Sequence, residues 1–362
     1  MFNLKNPMTA QCAFAAMGIA MVGIPQFACG QAPTPVRIGY FPNVTHAQAV
    51  LAGSPERADF QKALGDKAKV ETSTFNAGPS LMEALFAGKV DVGYIGPSPI
   101  INGWVASRGQ AFRVVAGSAN NGIVIVGSKK LGITKLEQLK GARTATPQLG
   151  NTQDISAKHY ITKTLGATLK ERGGDTVVMP ISNPDIEIAF EKDQVEAAWV
   201  PEPWGSRLIQ NGLANLIVEE KDLWPNKRFT LTSVIVRQEF LEQHPDLLGQ
   251  ILDVHVRLTK ELQAHPEKYA DQLNRELKRL TAKELPAKVL TDSLSRIEFS
   301  LDALPDSFAR FYEKGRDLQL VREISGLPLE QLVEPAPLKA AIERFATQPS
   351  AESSTTSSIP KP

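Results

Sequence analysis

Five short polar segments carry the residue types that could recognise a small molecule. Four of the segments are strand ends that open a helix rich in Gly, Asn, Ser, Thr or Pro. The segments are residues 42–46, 76–80, 96–98, 150–154 and 201–204. In open α/β sheets, ligands bind beyond the carboxyl ends of the strands, where the next helices begin. These segments are therefore the candidate site.

The chemistry that such segments offer is the binding of an anion without a charged side chain. The first turn of a helix has unpaired N–H groups and the positive end of the helix dipole. Several helix starts aimed at one cleft can hold a sulfonate, a carboxylate or a nitrate. Each polar residue alone could also be a simple helix cap, so the prediction depends on their convergence. The candidate contacts are Asn43, Thr45, His46, Asn76, Gly78, Ser80, Gly96, Ser98, Asn151, Thr152 and Gln153.

A second group of candidates surrounds an acidic residue between two tryptophans. Glu202 lies near Trp199 and Trp204 in an otherwise apolar strand-to-helix turn. Its carboxylate could hold an ammonium group of a zwitterion, or the aromatic rings could flank an apolar tail. A surface carboxylate near a helix start is an equally good reading of the same pattern. We include all three residues among the predicted ligand contacts.

Catalytic chemistry has weaker support. His46 follows the first strand and is the best catalytic candidate, but a hydrogen-bonding or capping role fits it better. His159, His244, His255 and His265 read as helix-face residues. The sequence contains no HExxH, CxxC or Gly-x-Ser-x-Gly motif. We therefore predict a binding protein without catalytic residues, metal ligands or a cofactor.

The elements that position these segments alternate between strand and helix. The first run has strands at residues 36–40, 70–75 and 90–95, with helices starting near Thr45, Gly78 and Pro97. The second run has strands at residues 144–146, 177–181 and 195–200, and residues 183–185 cap one of its helices. Such alternation with short connections predicts parallel, doubly wound sheets. The fold class is therefore α/β.

The two runs align without gaps at one offset. Pro79 falls on Pro184, Asp91 on Glu196 and Tyr94 on Trp199; these pairs are in register with their strands and helices. Any two strand–helix units share some features, but the matched proline, acid and aromatic favour a repeated architecture. The sequence thus predicts two similar lobes with a cleft between them.

The chain should cross between the lobes twice, which would make a two-strand hinge. We assign residues 36–118 and 237–345 to lobe 1 and residues 119–236 to lobe 2. Strands at residues 113–116, 122–126 and 229–236 are the candidates for the crossings. The remainder is helical and should pack on lobe 1. One of its helices carries an apolar stripe at Leu247, Leu248, Ile251, Leu252, His255, Leu258 and Leu262.

The ends of the chain read as an export signal and a tail. Lys5, the apolar residues 13–24 and the small-residue pattern Ala28-Cys29-Gly30 predict a signal peptide over residues 1–30. Cys29 could instead be a lipidated first residue that tethers the protein to a membrane. Residues 346–362 are rich in Ser, Thr and Pro, which predicts a disordered tail. We expect a periplasmic or otherwise extracytoplasmic protein.

Charge balance argues against nucleic-acid partners. The 362 residues include 40 basic and 39 acidic side chains, for a formal net charge of +1. A nucleic-acid binder would carry a basic excess on one face. We therefore expect no nucleic acid among the partners.

Five motifs resemble one known class of proteins. They are residues 37–46, 75–80, 92–99, 145–154 and 197–204. Together they resemble the nitrate/sulfonate/taurine class of ABC-transporter substrate-binding proteins, and the closest match is to the members that bind aliphatic sulfonates. The resemblance covers about residues 36–240 with specific motifs and the helical remainder only loosely.

This resemblance implies a type II periplasmic-binding fold, in which two lobes close over the ligand. It also implies delivery of the ligand to a separately encoded permease and ATPase. The expected partners are a small anionic or zwitterionic solute, for which an aliphatic sulfonate or a taurine-like compound is the best candidate, and those transporter subunits. We expect the protein itself to be a monomer.

Three other functions remain open at this point. A related group on the same fold makes the thiamine pyrimidine with a histidine in the cleft, which His46 could match. A neutral aromatic cargo, such as a pyrimidine or a flavin, could stack on Tyr94, Trp199 or Trp204. The sensor domain of a regulator is the third, although the sequence shows no DNA-binding or kinase segment.

Overall fold

Strands and helices alternate through the first lobe, as predicted. The computed structural model describes residues 32–322 and 327–347. All of its helices and strands belong to one compact part of the chain, which begins at Pro33. The predicted signal peptide with Cys29 lies outside the described residues. The elements of the first lobe are β1 (Thr34–Tyr40), α1 (Ala47–Gly53), α2 (Asp59–Leu64), β2 (Ala68–Thr74), α3 (Gly78–Phe86), β3 (Val92–Ile95), α4 (Pro97–Ala106) and β4 (Phe112–Asn121).

The second lobe repeats the alternation. Its elements are β5 (Ile123–Ser128), β6 (Arg143–Thr146), α5 (Thr152–His159), β7 (Val177–Pro180), α6 (Asn183–Glu191), β8 (Ala197–Pro201), α7 (Trp204–Gln210) and β9 (Ala214–Glu219). A π-helical turn, Tyr160–Thr164, continues α5. The predicted cap of α6 is corrected, because Ser182 is its N-cap and Asn183 is already helical.

The chain then returns to the first lobe and is mostly helical. The remaining elements are β10 (Thr230–Arg237), α8 (Gln238–Gln243), α9 (Pro245–Ala264), α10 (Pro266–Thr281), α11 (Ala287–Ser295), β11 (Ile297–Phe299), α12 (Pro305–Asp317) and α13 (Ala336–Thr347). Ala346 and Thr347, which the sequence analysis gives to the tail, belong to α13. The rest of the predicted tail lies outside the described residues. Short 3₁₀ turns occur at Val44–His46, Gly65–Lys67, Leu136–Leu139, Lys170–Arg172, Glu220–Leu223, Pro225–Lys227 and Leu329–Gln331.

In the described residues the strands form two sheets, ordered β11-β4-β10-β3-β1-β2 and β7-β6-β8-β5-β9. In each sheet, three parallel strands are followed by an antiparallel one, which is β10 in the first sheet and β5 in the second. The chain brings each of these antiparallel strands across from the other lobe. The predicted pair of crossings is therefore present.

Strand pairing moves the lobe boundaries that we expected. Strand β10 pairs with β3 and β4, so residues 230–236 lie in the first sheet and not in lobe 2. Residues 119–121 also belong to the first sheet, because they are the end of β4. The crossings themselves fall at Gly122 and between β9 and β10.

The predicted repeat has a structural counterpart in two acidic residues. Asp91 accepts the amide of Arg37 at 2.9 Å and Nη2 of Arg237 at 2.8 Å. Glu196 accepts the amide of Arg143 at 2.6 Å and also binds its guanidinium group. Each acid precedes the third parallel strand of its sheet and binds an arginine on the first. The residues that align in sequence therefore perform the same structural task.

Helix α9 packs on the first lobe through the predicted stripe, and every residue of that stripe is buried. His255 lies within this core, where its Nε2 donates to the carbonyl of Gly117 at 2.8 Å and its Nδ1 accepts from the Tyr94 hydroxyl at 3.0 Å. Burial lowers the pKa of His255 to about 4, so the ring is neutral. Tyr94 is thereby a core residue and not a stacking platform for a ligand.

A search of residues 32–322 and 327–347 finds no helix with the length and apolarity that a bilayer crossing requires.

Gly122 allows the first crossing to turn sharply. Its φ is +74°, and an added Cβ would lie 2.8 Å from Cγ1 of Ile297. We predict that Gly122→Ala lowers the free energy of unfolding by about 2–3 kcal/mol, because strain in the left-handed region adds to a steric clash. Urea unfolding followed by tryptophan fluorescence measures this loss.

Gly132→Ala is the matched control, since Gly132 has a φ of +66° and no atom within 4 Å of the added Cβ. It should cost only about 1 kcal/mol, from backbone strain alone. Equal losses in the two variants would contradict the proposed clash at the crossing.

Candidate functional site

A small cavity of about 30 Å³ lies between the lobes, beyond the carboxyl ends of the parallel strands. The first lobe and β10 line it with Phe41, Asn43, Thr45, His46, Asn76, Ala77, Gly78, Gly96, Pro99, Leu231 and Thr232. The second lobe contributes Pro147, Asn151, Thr152, Gln153, Asn183 and Pro201. Most of the contacts predicted from the sequence are therefore brought together in one place.

Within the described residues, helices α3 and α4 of the first lobe and α5 and α6 of the second all begin at this cavity. Proline occupies the first turn of α3, α4 and α6, where the missing N–H costs no hydrogen bond. Helix α5 is capped by Asn151, whose side chain accepts from the Asp154 amide at 2.8 Å. In α6 the Asp185 amide donates to the carbonyl of the N-cap Ser182 at 2.9 Å, and the other amides of these first turns have no acceptor within their own helices. The cavity therefore collects unpaired donors from both lobes.

Among the described residues, no lysine, arginine, aspartate or glutamate lines the cavity. The carboxylate of Asp154 lies directly behind it, wholly buried, and is neutralised by Lys158 Nζ at 3.1 Å. The Gly150 amide also donates to this carboxylate at 2.8 Å. The walls therefore present hydrogen-bond donors and helix dipoles but no net charge.

His46 is a neutral donor in this arrangement. It is 2% exposed, and burial lowers its pKa to about 3. The amide of Phe41 donates to Nδ1 at 3.4 Å, which places the ring proton on Nε2. The Phe41 ring packs on the imidazole with the centroids 4.3 Å apart. His46 can therefore donate a hydrogen bond to a ligand without adding positive charge.

Polar contacts join the lobes across the cleft in the described structure. Asn76 Nδ2 donates to the Pro147 carbonyl at 3.3 Å, and Gln148 Nε2 donates to Ser80 Oγ at 3.1 Å. The Ser98 amide lies 3.5 Å from Thr152 Oγ1. The structure thus corresponds to a closed arrangement of the lobes.

Five of the predicted contacts do not line the cavity. Ser80 hydrogen-bonds with Gln148, and Ser98 is buried but is not a lining residue. Trp199 is buried and donates its indole N–H to the Glu220 carboxylate. Trp204 donates to Asn43 Oδ1 at 2.9 Å and so supports a cavity residue from behind. The aromatic residues of this turn are structural, because their ring N–H groups are already satisfied by the protein.

Glu202, the fifth, joins the lobes instead of facing a ligand. It is wholly buried, and its carboxylate accepts from Arg296 Nη1 at 2.8 Å, from the Ser206 amide at 3.1 Å and from Ser293 Oγ at 3.1 Å. Burial raises the pKa of Glu202, and the charge of Arg296 opposes that shift. Glu202 and Ser206 belong to lobe 2, whereas Ser293 and Arg296 belong to the helical part of lobe 1. No ammonium of a ligand can share this saturated carboxylate.

Two polar lining residues, Asn183 and Thr232, are not among the contacts predicted from the sequence. Asn183 aligns with Gly78 at the offset that matches Pro79 with Pro184, so the repeat itself could have identified it. Thr232 lies on β10, and only the sheet order brings it to the site. The described residues contain no cluster of three or more metal-ligating side chains.

A family model described as the NMT1-like family matches residues 30–274. The chain belongs to the NMT1-like family. Its relatives include the "Taurine-binding periplasmic protein" of Escherichia coli K12, which is 28% identical over 239 residues, 64% of this chain and 69% of that protein. The "Putative aliphatic sulfonates-binding protein" of Bacillus subtilis 168 is 25% identical over 327 residues, 86% of this chain and 89% of that protein.

Solved structures support the same fold for this NMT1-like chain. The alkanesulfonate-binding protein SsuA from Xanthomonas axonopodis pv. citri, bound to MOPS, matches with a TM-score of 0.68 and 21% identity. The match covers 84% of this chain and 99% of that one. The expected type II periplasmic-binding fold and the resemblance to the nitrate/sulfonate/taurine class are confirmed.

The Glu202–Arg296 pair generates a stability prediction. Replacing Arg296 with Met leaves a buried carboxylate without its counter-charge, which typically costs about 3–5 kcal/mol. The variant's Glu202 binds a proton more readily when folded than when unfolded, so a lower pH favours its folded state. We therefore expect the loss, measured by urea unfolding, to be large at pH 8 and smaller at pH 5.

Two controls accompany this measurement. Glu202→Gln combined with Arg296→Met should recover part of the loss, because no charge remains buried. Arg275→Met removes an exposed pair with Glu56 and should leave the unfolding midpoint unchanged. A similar loss for Arg275→Met and Arg296→Met would contradict the role assigned to burial.

Proposed function

We propose that this chain is the extracytoplasmic solute-binding component of an ABC importer and that it captures a small organic anion or zwitterion. The best candidates are aliphatic sulfonates and taurine-like compounds. The observation that carries this proposal is the convergence of helix starts from both lobes on one uncharged, donor-rich cavity. The names of the relatives support the ligand class and the location outside the cytoplasm.

Donor chemistry favours an anionic head group. Asn43 Oδ1, Asn151 Oδ1 and His46 Nδ1 each accept a hydrogen bond from the protein, so the opposite nitrogen of each side chain is left to donate. Backbone amides at helix starts bind the oxygens of oxyanions in many proteins. A sulfonate, with three acceptor oxygens and one charge, fits this set of neutral donors.

The size of the cavity favours a compact guest. Pockets that take drug-sized ligands measure roughly 300–1,000 Å³, whereas this one measures about 30 Å³. The closed arrangement therefore supports a compact guest over a flavin. It also supports capture over catalysis, since the His46 ring is neutral and its Nδ1 is occupied.

Closure of the lobes would be the mechanism of capture. Each lobe supplies part of the donors, so only the closed state satisfies all the oxygens of the guest. The guest then shifts the open–closed equilibrium by its greater affinity for the closed state. The closed, loaded protein would be the form that a permease with its ATPase recognises.

A thermal-shift screen tests the proposed ligand class. Ethanesulfonate, taurine, nitrate, bicarbonate, pyrimidines and riboflavin are compared at equal concentrations. A true ligand at about 100 times its Kd should stabilise the protein by roughly 2.7 kcal/mol and raise its Tm. We expect the sulfonates to do so; a shift with riboflavin or a pyrimidine alone would overturn the proposal.

Closure generates a prediction at Gly96. A Cβ there would lie 2.5 Å from Thr152 Oγ1 on the facing lobe, although the backbone of Gly96 is extended and suits alanine. Gly96→Ala should therefore hold the lobes apart and weaken sulfonate binding at least tenfold, about 1.4 kcal/mol, with little change in Tm without ligand. Isothermal titration calorimetry measures the affinity.

The matched background is Thr152→Ala, which removes the atom that would clash. Adding Gly96→Ala to Thr152→Ala should change the affinity by less than about threefold, since the next atoms, the Leu231 carbonyl oxygen at 3.4 Å and Thr152 Cβ at 3.6 Å, lie at ordinary contact distances. The same tenfold loss in both backgrounds would argue against closure as the cause.

The neutral state of His46 predicts pH-independent binding. Its pKa is lowered from 6.5 to about 3, so the ring stays uncharged in the folded protein from pH 5 to pH 8. Alkanesulfonates do not titrate in this range. We expect a Kd for ethanesulfonate that is constant within about twofold across it. A His46 that gains a positive charge would instead tighten binding as the pH falls through 6.5. Such an increase in the affinity for ethanesulfonate would refute the neutral assignment.

A further inference from the structure

Two lining side chains keep a buried polar atom without a partner in the described part of the chain. They are Asn183, through Oδ1, and Thr232, through Oγ1. Their exposed fractions are 4% and 0%. A buried polar atom that lacks a hydrogen bond is costly, so each implies a partner that the protein itself does not supply.

The two orphan atoms differ in chemistry. The Thr232 hydroxyl can donate and so can serve the same anionic group as the helix amides. Asn183 Oδ1 can only accept. The acceptors of Asn43, Asn151 and His46 are already used by protein donors. Among the described lining side chains, Asn183 thus presents a buried acceptor that requires a donor on the guest.

Asn183 has no polar counterpart at the aligned position of the first lobe. It is the first residue of α6, whereas the aligned first residue of α3 is Gly78, which has no side chain. A Cβ at Gly78 would lie 2.3 Å from Pro99, so only the α6 side has room for a polar side chain. The two halves of the cavity are therefore unequal. The second lobe has a polar side chain at this position that can contact the guest, and the first lobe has none.

We propose that Asn183 is the specificity-determining residue of this site and that it accepts a hydrogen bond from an ammonium group of the guest. This inference rests on the proposed function and narrows it to amino-substituted sulfonates. A zwitterion also suits walls without net charge, since its own ammonium compensates the buried sulfonate. A simple alkanesulfonate leaves Asn183 Oδ1 unsatisfied.

Two ligands of matched size test this proposal. Taurine and propane-1-sulfonate differ by an ammonium group in place of a methyl group. Calorimetry on the wild-type protein should give at least tenfold tighter binding of taurine, because a site built to hydrogen-bond one group rejects an analogue that lacks it. Equal binding, or a preference for propane-1-sulfonate, overturns the inference but leaves the proposed function standing. If neither compound binds, the proposed function fails as well.

Variants at Asn183 locate the cause of the preference. Asn183→Leu has a similar volume and should abolish the preference while leaving the affinity for propane-1-sulfonate within about threefold. Asn183→Asp keeps the acceptor and adds a negative charge, so it should retain taurine and lose propane-1-sulfonate. Equal weakening of both ligands by Asn183→Leu would mean that Asn183 holds the sulfonate, which also overturns the inference.

Thr232→Val is the control within the cavity, because the Thr232 hydroxyl is assigned to the sulfonate. It should weaken both ligands by the same factor and leave their ratio unchanged. Loss of the taurine preference in Thr232→Val would transfer the role from Asn183 to Thr232. The Tm of each variant without ligand verifies that it is folded.

Discussion

Unpaired amides at helix starts are the constraint on which the site depends. Helices α3, α4, α5 and α6 all begin at one cavity, because parallel strands direct their carboxyl ends to the same edge of each sheet. No intrahelical acceptor is available to the amides of a first turn. Each lobe alone would leave them to water. Two lobes that face each other can satisfy them together with one small oxyanion.

Charged side chains do not line the cavity among the described residues, but buried ion pairs lie around it. Asp154 with Lys158 lies behind the start of α5, and Glu202 with Arg296 joins the lobes. Both acids are wholly buried, and each has a basic partner and further hydrogen bonds. A neutral His46 and amide side chains then face the guest. Such walls discriminate between ligands by the placement of hydrogen-bond donors. The unpartnered acceptor of Asn183 adds a second requirement, a donor group on the ligand.

The repeated architecture and the exchanged strands explain how one chain builds this site. Apart from the additional edge strand β11, the two sheets have the same order, and each receives an antiparallel strand from the other lobe, through β5 and β10. The two crossing segments connect the lobes and form a hinge between them. Thr232 on β10 lines the cavity directly, and Trp204 of the second lobe holds Asn43, a lining residue of the first lobe, through a hydrogen bond.

Local pattern determined the strand–helix alternation, the repeat and the neutral helix starts, because these depend on residue type and short spacing. Gly78, Gly96, Thr152 and His46 could therefore be chosen from the sequence. Tertiary structure alone decided which polar groups are already satisfied. Glu202 looked like a ligand contact, yet Arg296, 94 residues away, occupies it. Trp199 and Trp204 are likewise paired with distant partners, and Asn183 is left free. The hydrogen-bond partners of a buried polar group can come from any part of the chain. Neighbouring positions in the sequence therefore do not show whether such a group is already satisfied.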